Sequence, residues 1–455
     1  MQVKIERLQH LVVHDLISTL DEDLASRLRQ SVELEEYSVK LSKHAEFVTA
    51  CIDGSVVGVI AFYTNEQAAE IYVPYVCIGS MHRRKGIADR LMQLLIEHAQ
   101  SKGYSISLEV LVCNTSAISL YKKFGFEIYA QDSIKYKLRR SRYLVGIRCS
   151  TYNQEAYITD TMNGFASQQT DFPYIAMIVD DASTDTQPQV ISEYVDKYFD
   201  EVERSETEAS HITYARHRTN RNCYFLILYL KENHYQNGLQ YKKLDYLVQW
   251  RKDIRYEALC EGDDWWSDTL KLQKQVDYLE KHPECSLCCT GYASFRLRDG
   301  LVKKGDGKEK DITLRNLMRR NSIGTLTVMY RRSLYDDYQR DVLPYMPNFR
   351  MGDLPLWIYL AWRGRIHKLP DETAVYRVLK HSASHNDDFD RQFDFVLETT
   401  RIRLWINKHL GLRYALYLKL RMRAGSRAFC RKWARRHNED KKILWRKAKI
   451  EMQKV

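Results

Sequence analysis

RYEALCEGDDWWSDTLKLQKQVDYL, residues 255–279, sets an apolar strand, an acidic turn and a helix in direct succession. Tyr256–Cys260 is an apolar run of strand length, and a helical stretch follows the two tryptophans, Trp265 and Trp266. Between strand and helix stand Glu261, Asp263 and Asp264. Three acids in four residues repel one another, so a cation should compensate them. A hard divalent ion, Mn²⁺ or Mg²⁺, suits such a turn, because it takes few carboxylates and completes its shell with substrate phosphates. The plainer alternative is an acidic surface turn that caps the helix. Apolar residues on both sides of the turn argue against free solvation.

Upstream, YIAMIVDDASTD (174–185) repeats the arrangement: a buried strand ends in Asp180 and Asp181, followed by Ser183, Thr184 and Asp185. The carboxyl ends of buried strands are where open α/β sheets bind ligands, although Thr184 and Asp185 could simply cap the next helix. YLVGIRCSTYNQEAYI (143–158) supplies another apolar strand.

Together, S-T-Y-N-x-E, V-D-D-A-S-T-D and E-G-D-D-W-W resemble the family 2 glycosyltransferases of the GT-A fold. The likeness continues through KLQKQVDYLEKHP, NSIGTLTVMYRRS and GDLPLWIYLAWRGRIHKLPDETAVYR, so it spans nearly all of 141–390. It implies a Rossmann-like α/β domain that transfers sugar, with inversion, from a nucleotide-sugar to a glycan or lipid-linked glycan acceptor. Thr151, Tyr152, Glu155, Asp180, Asp181, Glu261 and Asp263 would then hold the nucleotide-sugar. Asp263 and Asp264 would hold the metal, and Asp353, in Met351-Gly352-Asp353-Leu354-Pro355, would take the acceptor's proton. Glu261 stands where the family usually has aspartate, which makes Asp263 the firmest metal ligand. His381 and His385, after YRVLK, could reach the metal or pyrophosphate, or be solvated loop residues.

Residues 1–140 alternate short apolar runs with helices. FVTACIDGSVVGVIAFYT predicts two strands around the turn Asp53-Gly54, EIYVPYVCI a third, and DRLMQLLIEHAQSKGY an amphipathic helix stopped by Gly103. Before that helix comes Arg83-Arg84-Lys85-Gly86-Ile87-Ala88. A glycine turn opening a helix offers unpaired N–H groups to a pyrophosphate, or is an ordinary turn with solvated bases.

R-x-x-G-x-A after a strand, with N-x-x-A-x-x-L-Y-x-x-x-G-F some 30 residues on (Asn114, Ala117, Leu120, Tyr121, Gly125, Phe126), resembles the GCN5-related N-acetyltransferases, or GNAT family. The resemblance implies that the backbone from Arg83 to Ala88 holds the acetyl-CoA pyrophosphate. It also implies that the strand through Val76 and Ile78 splays to align the pantetheine arm, that Asn114 joins the cofactor site, and that Tyr121 protonates the departing thiolate. Glu70, Tyr72 and Glu109 remain alternative bases for the acceptor amine, and Tyr121 could instead be a core aromatic.

The whole chain has 455 residues, 44% hydrophobic and 28% charged, which excludes a disordered protein. Its net charge of +11 is uneven. Residues 401–455 hold 18 Lys+Arg against three acids, a net of +15, leaving −4 for residues 1–400. A global basic groove for nucleic acid is therefore disfavoured. The tail, 391–455, reads as basic and helical: Arg427, Arg431 and Arg435 recur at i, i+4 with tryptophans interleaved, which suits an anionic membrane surface or a helical cap. No apolar run reaches membrane-spanning length, and MQVKIERLQHLVV lacks the features of a secretory signal, so a cytoplasmic protein is expected, peripheral on the membrane's cytoplasmic face. Cys285, Cys288 and Cys289 lie in CSLCCTGY, which reads as a buried strand and not as a zinc site.

The chain thus reads as a bifunctional α/β transferase: a GNAT-like domain over 1–140, a GT-A domain over 141–390 and a basic helical tail over 391–455. Acetyl-CoA serves the first part and a nucleotide-sugar the second, in one polysaccharide pathway, with an amino sugar acetylated. The alternative is a glycosyltransferase only, whose N-terminal domain binds CoA or a partner without catalysis, or acetylates an unrelated amine.

Overall fold

A computed structural model describes the chain except residues 21–24, 27, 28, 30, 31, 240, 253, 297–299, 306, 380–387, 454 and 455. His381 and His385 lie outside the described residues. The chain divides into two compact units, Met1–Arg142 and Tyr143–Val455.

Among the described residues, the first unit holds one seven-stranded sheet in the order β1-β2-β3-β4-β5-β7-β6. The strands are β1 (Gln2–Glu6), β2 (Glu46–Ile52), β3 (Ser55–Asn65), β4 (Glu70–Ile78), β5 (Ser105–Leu111), β6 (Glu127–Gln131) and β7 (Lys135–Arg140). Asp53 and Gly54 both take positive φ, 50° and 80°, which closes β2 onto β3 in the tight hairpin that Asp-Gly favours. Successive residues of β3 serve opposite faces, as strand periodicity requires. Ile60 and Phe62 pack with Leu91, Leu95 and Ala99 of α3 (Ile87–Lys102), while Val59 and Ala61 pack with α1 (His10–Thr19) and α2 (Leu34–His44).

Every neighbouring pair in this sheet is antiparallel except β4 and β5. Those two pair only from Glu70–Ser105 to Val73–Leu108. The next residue, Pro74, has no N–H to continue a ladder. Beyond it β4 stays with β3, where Val76 faces Ile60 and Ile78 faces Gly58, while β5 continues along β7 as far as Leu111–Lys135. The two parallel strands therefore part at Pro74.

The second unit is built on a parallel core, β12-β9-β8-β13, formed by β8 (Val145–Thr151), β9 (Tyr174–Asp180), β12 (Cys223–Leu230) and β13 (Tyr256–Leu259). β10 (Phe199–Glu206) and β11 (Ser210–His217) extend it antiparallel on one side. On the other side come β18 (Met329–Arg331), β15 (Cys285–Arg296), β19 (Arg365–Val378) and β14 (Trp265–Trp266), with β16 (Leu301–Lys303) and β17 (Lys310–Asp311) pairing at the periphery. All seven residues of β9 are buried, because apolar clusters cover both faces of a parallel sheet. The chain winds from β8 to β9 and β12 in one direction, then crosses back to β13. That reversal beside β8 opens a crevice at the strands' carboxyl ends. Cys285, Cys288 and Cys289 are buried free thiols of β15.

Three helices end the chain: α9 (Phe389–His409), α10 (Ala415–His437) and α11 (Lys441–Gln453), numbered after α4 (Thr115–Lys123), α5 (Ile158–Ala166), α6 (Gln187–Tyr198), α7 (Lys271–Lys281) and α8 (Asp353–Arg363). α9 is not a detached tail. Its Ile402 and Ile406 enter the cluster around Trp357 of α8, and its Phe389, Phe393 and Leu397 pack with Cys430, Trp433 and Leu444. No helix among the described residues is long and apolar enough to cross a membrane.

Candidate active sites

In the first unit the chain leaves the splayed end of β4 and enters α3 after a short 3-10 turn, Ser80–His82. Arg84 and Gly86 adopt positive φ, 60° and 76°, and Gly86 occupies the N-cap of α3 without a side-chain cap. A Cβ on Gly86 would meet nothing within 4 Å, so glycine is needed there for its backbone angle and not for space. The Arg83 Nε donates to the Ile78 carbonyl at 3.3 Å and ties the turn back to the strand. The first N–H groups of α3, from Ile87 and Ala88, thus sit beside Arg83, Arg84 and Lys85 at the positive end of a 16-residue helix.

Tyr121 lies on α4, 6% exposed, with its ring 5.7 Å from that of Phe126. Burial pushes its phenol up to about 12, so it keeps its proton at neutral pH. Asn114 caps the same helix: its Oδ1 accepts the Ala117 N–H at 3.2 Å, a structural duty that already accounts for one of its groups. Of the candidate bases, Glu70 pairs with Arg139 at 2.6 Å and Glu109 with Lys135 at 3.1 Å. Tyr72 is 39% exposed, with a phenol pushed up by burial and by the charge of Glu109.

In the second unit a cleft of about 790 Å³ opens over the carboxyl ends of β8 and β13. It brings together Thr151, Tyr152, Asp181, Glu261, Asp263, Asp264 and Asp353, which lie as much as 202 positions apart in sequence. Gly262 makes this possible, because a Cβ there would collide with Thr151 and Gln154 and hold the acid turn away from β8. The Asp181 carboxylate accepts the N–H groups of His234 and Tyr235 at 2.8 and 3.1 Å, and its own N–H donates to the Thr151 carbonyl.

Two residues expected at the nucleotide do not line this cleft. Asp180 accepts hydrogen bonds from the Ser183 hydroxyl and N–H and from Gln187. Glu155 accepts from the Thr186 N–H at 2.8 Å and from its hydroxyl. Both organise the turn into α6.

The acids of the cleft are held in a strained electrostatic state. Burial and the mutual repulsion of the carboxylates push Asp264 up to about 8, and desolvation also raises Asp263 and Glu261, against the pull of Lys243 on the latter. The Lys243 ammonium donates to the Ser150 hydroxyl at 2.8 Å, and its own value is lowered by burial. Among the described residues no three His, Cys, Asp or Glu side chains converge as a metal-binding group. Asp263, raised by burial, and Asp264, raised by burial and carboxylate repulsion, have the chemistry of a site where a cation would take one or two carboxylates and the rest of its shell from phosphate and water. Asp263 is the better placed, since one Asp264 oxygen already accepts the Arg377 N–H at 2.8 Å.

Asp353 begins α8 at the opposite side of the cleft. Its oxygens accept from the Leu354 N–H at 2.7 Å and the Thr325 hydroxyl at 3.3 Å, and burial raises its carboxyl. A carboxylate with a raised pKa is a stronger base, which suits proton removal from a hydroxyl.

Several cleft residues escape sequence reading. Arg148 projects from the apolar run of β8 and pairs with the buried Glu257 at 3.2 Å, which Arg251 also holds at 2.8 Å. A charged residue in YLVGIRC was the available signal. Lys243 gave none. Phe395 of α9 lines the cleft beside Phe349 and Met351, and α9 also fastens the loop before Asp353. Glu398 and Asp394 hold Arg350, the former through its N–H, and Trp405 meets Phe349 edge-on at 6.0 Å.

Residues 13–126 match the Acetyltransferase (GNAT) family. The chain is 34% identical over 252 residues to an uncharacterized protein of Mycobacterium tuberculosis, a match covering 53% of this chain and 61% of that one. It thus spans about three-fifths of that relative's length. It is 36% identical over 101 residues to the L-amino acid N-acetyltransferase AaaT of Escherichia coli, over 21% of this chain and 62% of that one. Among solved structures, Staphylococcus aureus TarS 1-349 in complex with UDP aligns with 63% of this chain and 82% of its own at 17% identity, with a TM-score of 0.36. The PaiA N-acetyltransferase of Thermoplasma acidophilum in complex with coenzyme A aligns with 30% of this chain and 98% of its own at 19% identity, TM-score 0.27.

Proposed function

We propose that the second unit transfers a sugar from a nucleotide-sugar to a hydroxyl of a glycan or lipid-linked glycan, and that the first transfers acetyl from acetyl-CoA to an amine. The observation that carries the first reading is the single cleft that faces the acid turn, Asp181 and Asp353 toward one another at a sheet's switch point. Thr151, Tyr152 and Asp181 hold the nucleotide. Asp263, with Asp264 beside it, holds a divalent cation, Mn²⁺ or Mg²⁺, which when bound neutralises the departing diphosphate. Lys243 adds a positive charge from the chain itself. Asp353 accepts the proton of the attacking hydroxyl. The raised acids of the turn have reason to welcome a cation, because it relieves the repulsion that burial magnifies.

For acetyl transfer, the parting of β4 from β5 at Pro74 leaves one edge of β4 without its parallel neighbour, where an extended amide chain such as pantetheine can pair. The Arg83–Ala88 turn takes the pyrophosphate, and Tyr121 gives its proton to the sulfur. An amino sugar of the same polysaccharide pathway is the acceptor that makes one chain of two transferases economical. The pairing of Glu70 and Glu109 with cations favours a second reading, in which the first unit binds CoA without catalysis. Purified protein incubated with acetyl-CoA and a panel of amino-sugar nucleotides decides between them: thiol release supports catalysis, and none in wild type or Tyr121→Phe supports the binding module.

The basic α10 and α11 hold the chain against an anionic membrane surface on the cytoplasmic side. Leu416 and Leu420 are exposed on the same helix as Arg431, Lys432, Arg435 and Arg436, which border a concavity of about 530 Å³. Exposed leucines beside arginines suit the headgroup boundary.

A further inference from the structure

The like charges of the acid turn push its carboxylates apart, against one internal hydrogen bond from the Asp264 N–H to the Glu261 carbonyl at 3.2 Å. The Thr161 hydroxyl of α5 donates to the Gly262 and Asp264 carbonyls at 2.9 and 2.6 Å, and the restraint on the peptide between Asp263 and Asp264 comes from the far end of β19. Arg377, 4% exposed, donates its main-chain N–H to Asp264 Oδ1 at 2.8 Å and its Nη1 to the Asp263 carbonyl at 2.5 Å. Its Nη2 reaches the Asp160 carboxylate of α5 at 2.7 Å. The guanidinium stands 4.6 Å from the ring centre of Tyr157 and 4.5 Å from that of Trp265. The ladder next to it pairs Trp265 with Val375 and Trp266 with Ala374, so the turn and β19 are already in register where Arg377 acts.

We infer that Arg377 is the positioning residue of the acid turn, which sets the peptide between Asp263 and Asp264 and thereby aims both carboxylates at the donor's diphosphate and its cation. The inference rests on the nucleotide-sugar reading above. One residue controls both acids by different routes: the side chain grips the carbonyl of Asp263, and the backbone grips the carboxylate of Asp264. The fork must be planar and directional for this. Two aromatic neighbours fix its plane and Asp160 fixes its far end, so a lysine, which offers one point charge, could not replace it. Asp160 is a helix residue with no other part in the cleft, and its exposure indicates that it serves as an outer anchor.

The test uses the full chain with Arg377→Met, Arg377→Lys and Asp160→Asn, titrated with UDP and, in parallel, GDP, CDP and dTDP, in Mn²⁺ and in EDTA. Thermal unfolding of each variant is recorded alongside. Arg377→Met should weaken binding of the preferred nucleotide at least tenfold in Mn²⁺ and less than twofold in EDTA, because Thr151, Tyr152 and Asp181 remain in place. Arg377→Lys should fail to restore it, and Asp160→Asn should give a smaller loss in the same direction. Equal weakening in Mn²⁺ and EDTA would mean a merely structural role and overturn the inference, as would unchanged binding. If the wild-type chain binds none of the four nucleotides, the nucleotide-sugar reading itself fails, an outcome distinct from either.

Discussion

Tyr121, Asp263 and Asp353 carry the chemistry of the proposed reactions, and each is set by its surroundings. Tyr121, at about 12, is protonated throughout the neutral range, so a general acid there imposes no alkaline fall on acetyl transfer below a pH of about 10. Tyr121→Phe should lower the rate of thiol release by about 10²-fold or more while leaving CoA binding intact, as measured by a thiol-trapping assay and calorimetry. Asp263→Ala and Asp353→Ala should each abolish sugar transfer, and only Asp263→Ala should weaken nucleotide binding in Mn²⁺. Equal weakening by Asp353→Ala would reverse their roles. Glu257 shows the opposite environment. Burial disfavours its charge, yet Arg251 and Arg148 hold it down to about 2. Because its folded value is depressed below the unfolded one, its contribution to stability is complete above about pH 5 and drains away as pH falls toward 2. Glu257→Gln should cost about 3–5 kcal/mol in chemical denaturation and flatten the acid limb, since it leaves two buried guanidinium groups without their shared anion.

At the scale of elements, the decisive features are ends. β8 and β13 deliver their last residues to one crevice, β9 delivers the residue just after its end, Asp181, and β4 loses β5 where a proline interrupts it. These ends were legible in the sequence because an apolar run that stops in acids, or a glycine that opens a helix, states its geometry locally. The Asp53-Gly54 hairpin, the span of α3 with its stop at Gly103, and the acid turn were readable for that reason. Asp180 and Glu155 carried the same chemical signal as Asp181, and only the packing around Gln187 and Thr186 separates capping from lining. Lys243, Arg377 and Phe395 were not legible, because each belongs to an element whose local pattern says nothing of the acid turn, 18 or more residues away in sequence. Pro74 was visible, but its consequence depends on β5, which is remote in the chain.

Across the molecule, the uneven charge separates where the chain acts from how it acts. Of the +15 carried by residues 401–455, much lies on α10 and α11, while α9, which begins the same segment, walls the cleft and fastens the loop before Asp353. The tail therefore has two parts with different sensitivities. Removing the chain from Phe389 onward should abolish sugar transfer and nucleotide binding together. Arg431→Gln, Arg435→Gln and Arg436→Gln in one chain should instead weaken binding to phosphatidylglycerol vesicles by about 3 kcal/mol, roughly a hundredfold, in a sedimentation assay. Activity on a soluble acceptor should be preserved in that variant. Vesicle binding that survives the triple substitution would leave α10 as a packing element alone.

The proposed nucleotide-sugar site is the cleft beside Asp353. Its most direct measurement is turnover of a nucleotide-sugar panel by the full chain in Mn²⁺, scored as release of nucleoside diphosphate, with Asp353→Ala as the paired control. Release from one donor class is expected in the wild type, and in the variant loss of that release with donor binding retained. A wild-type chain that neither binds nor turns over any donor, or an Asp353→Ala chain that turns over as fast as wild type, would contradict this assignment.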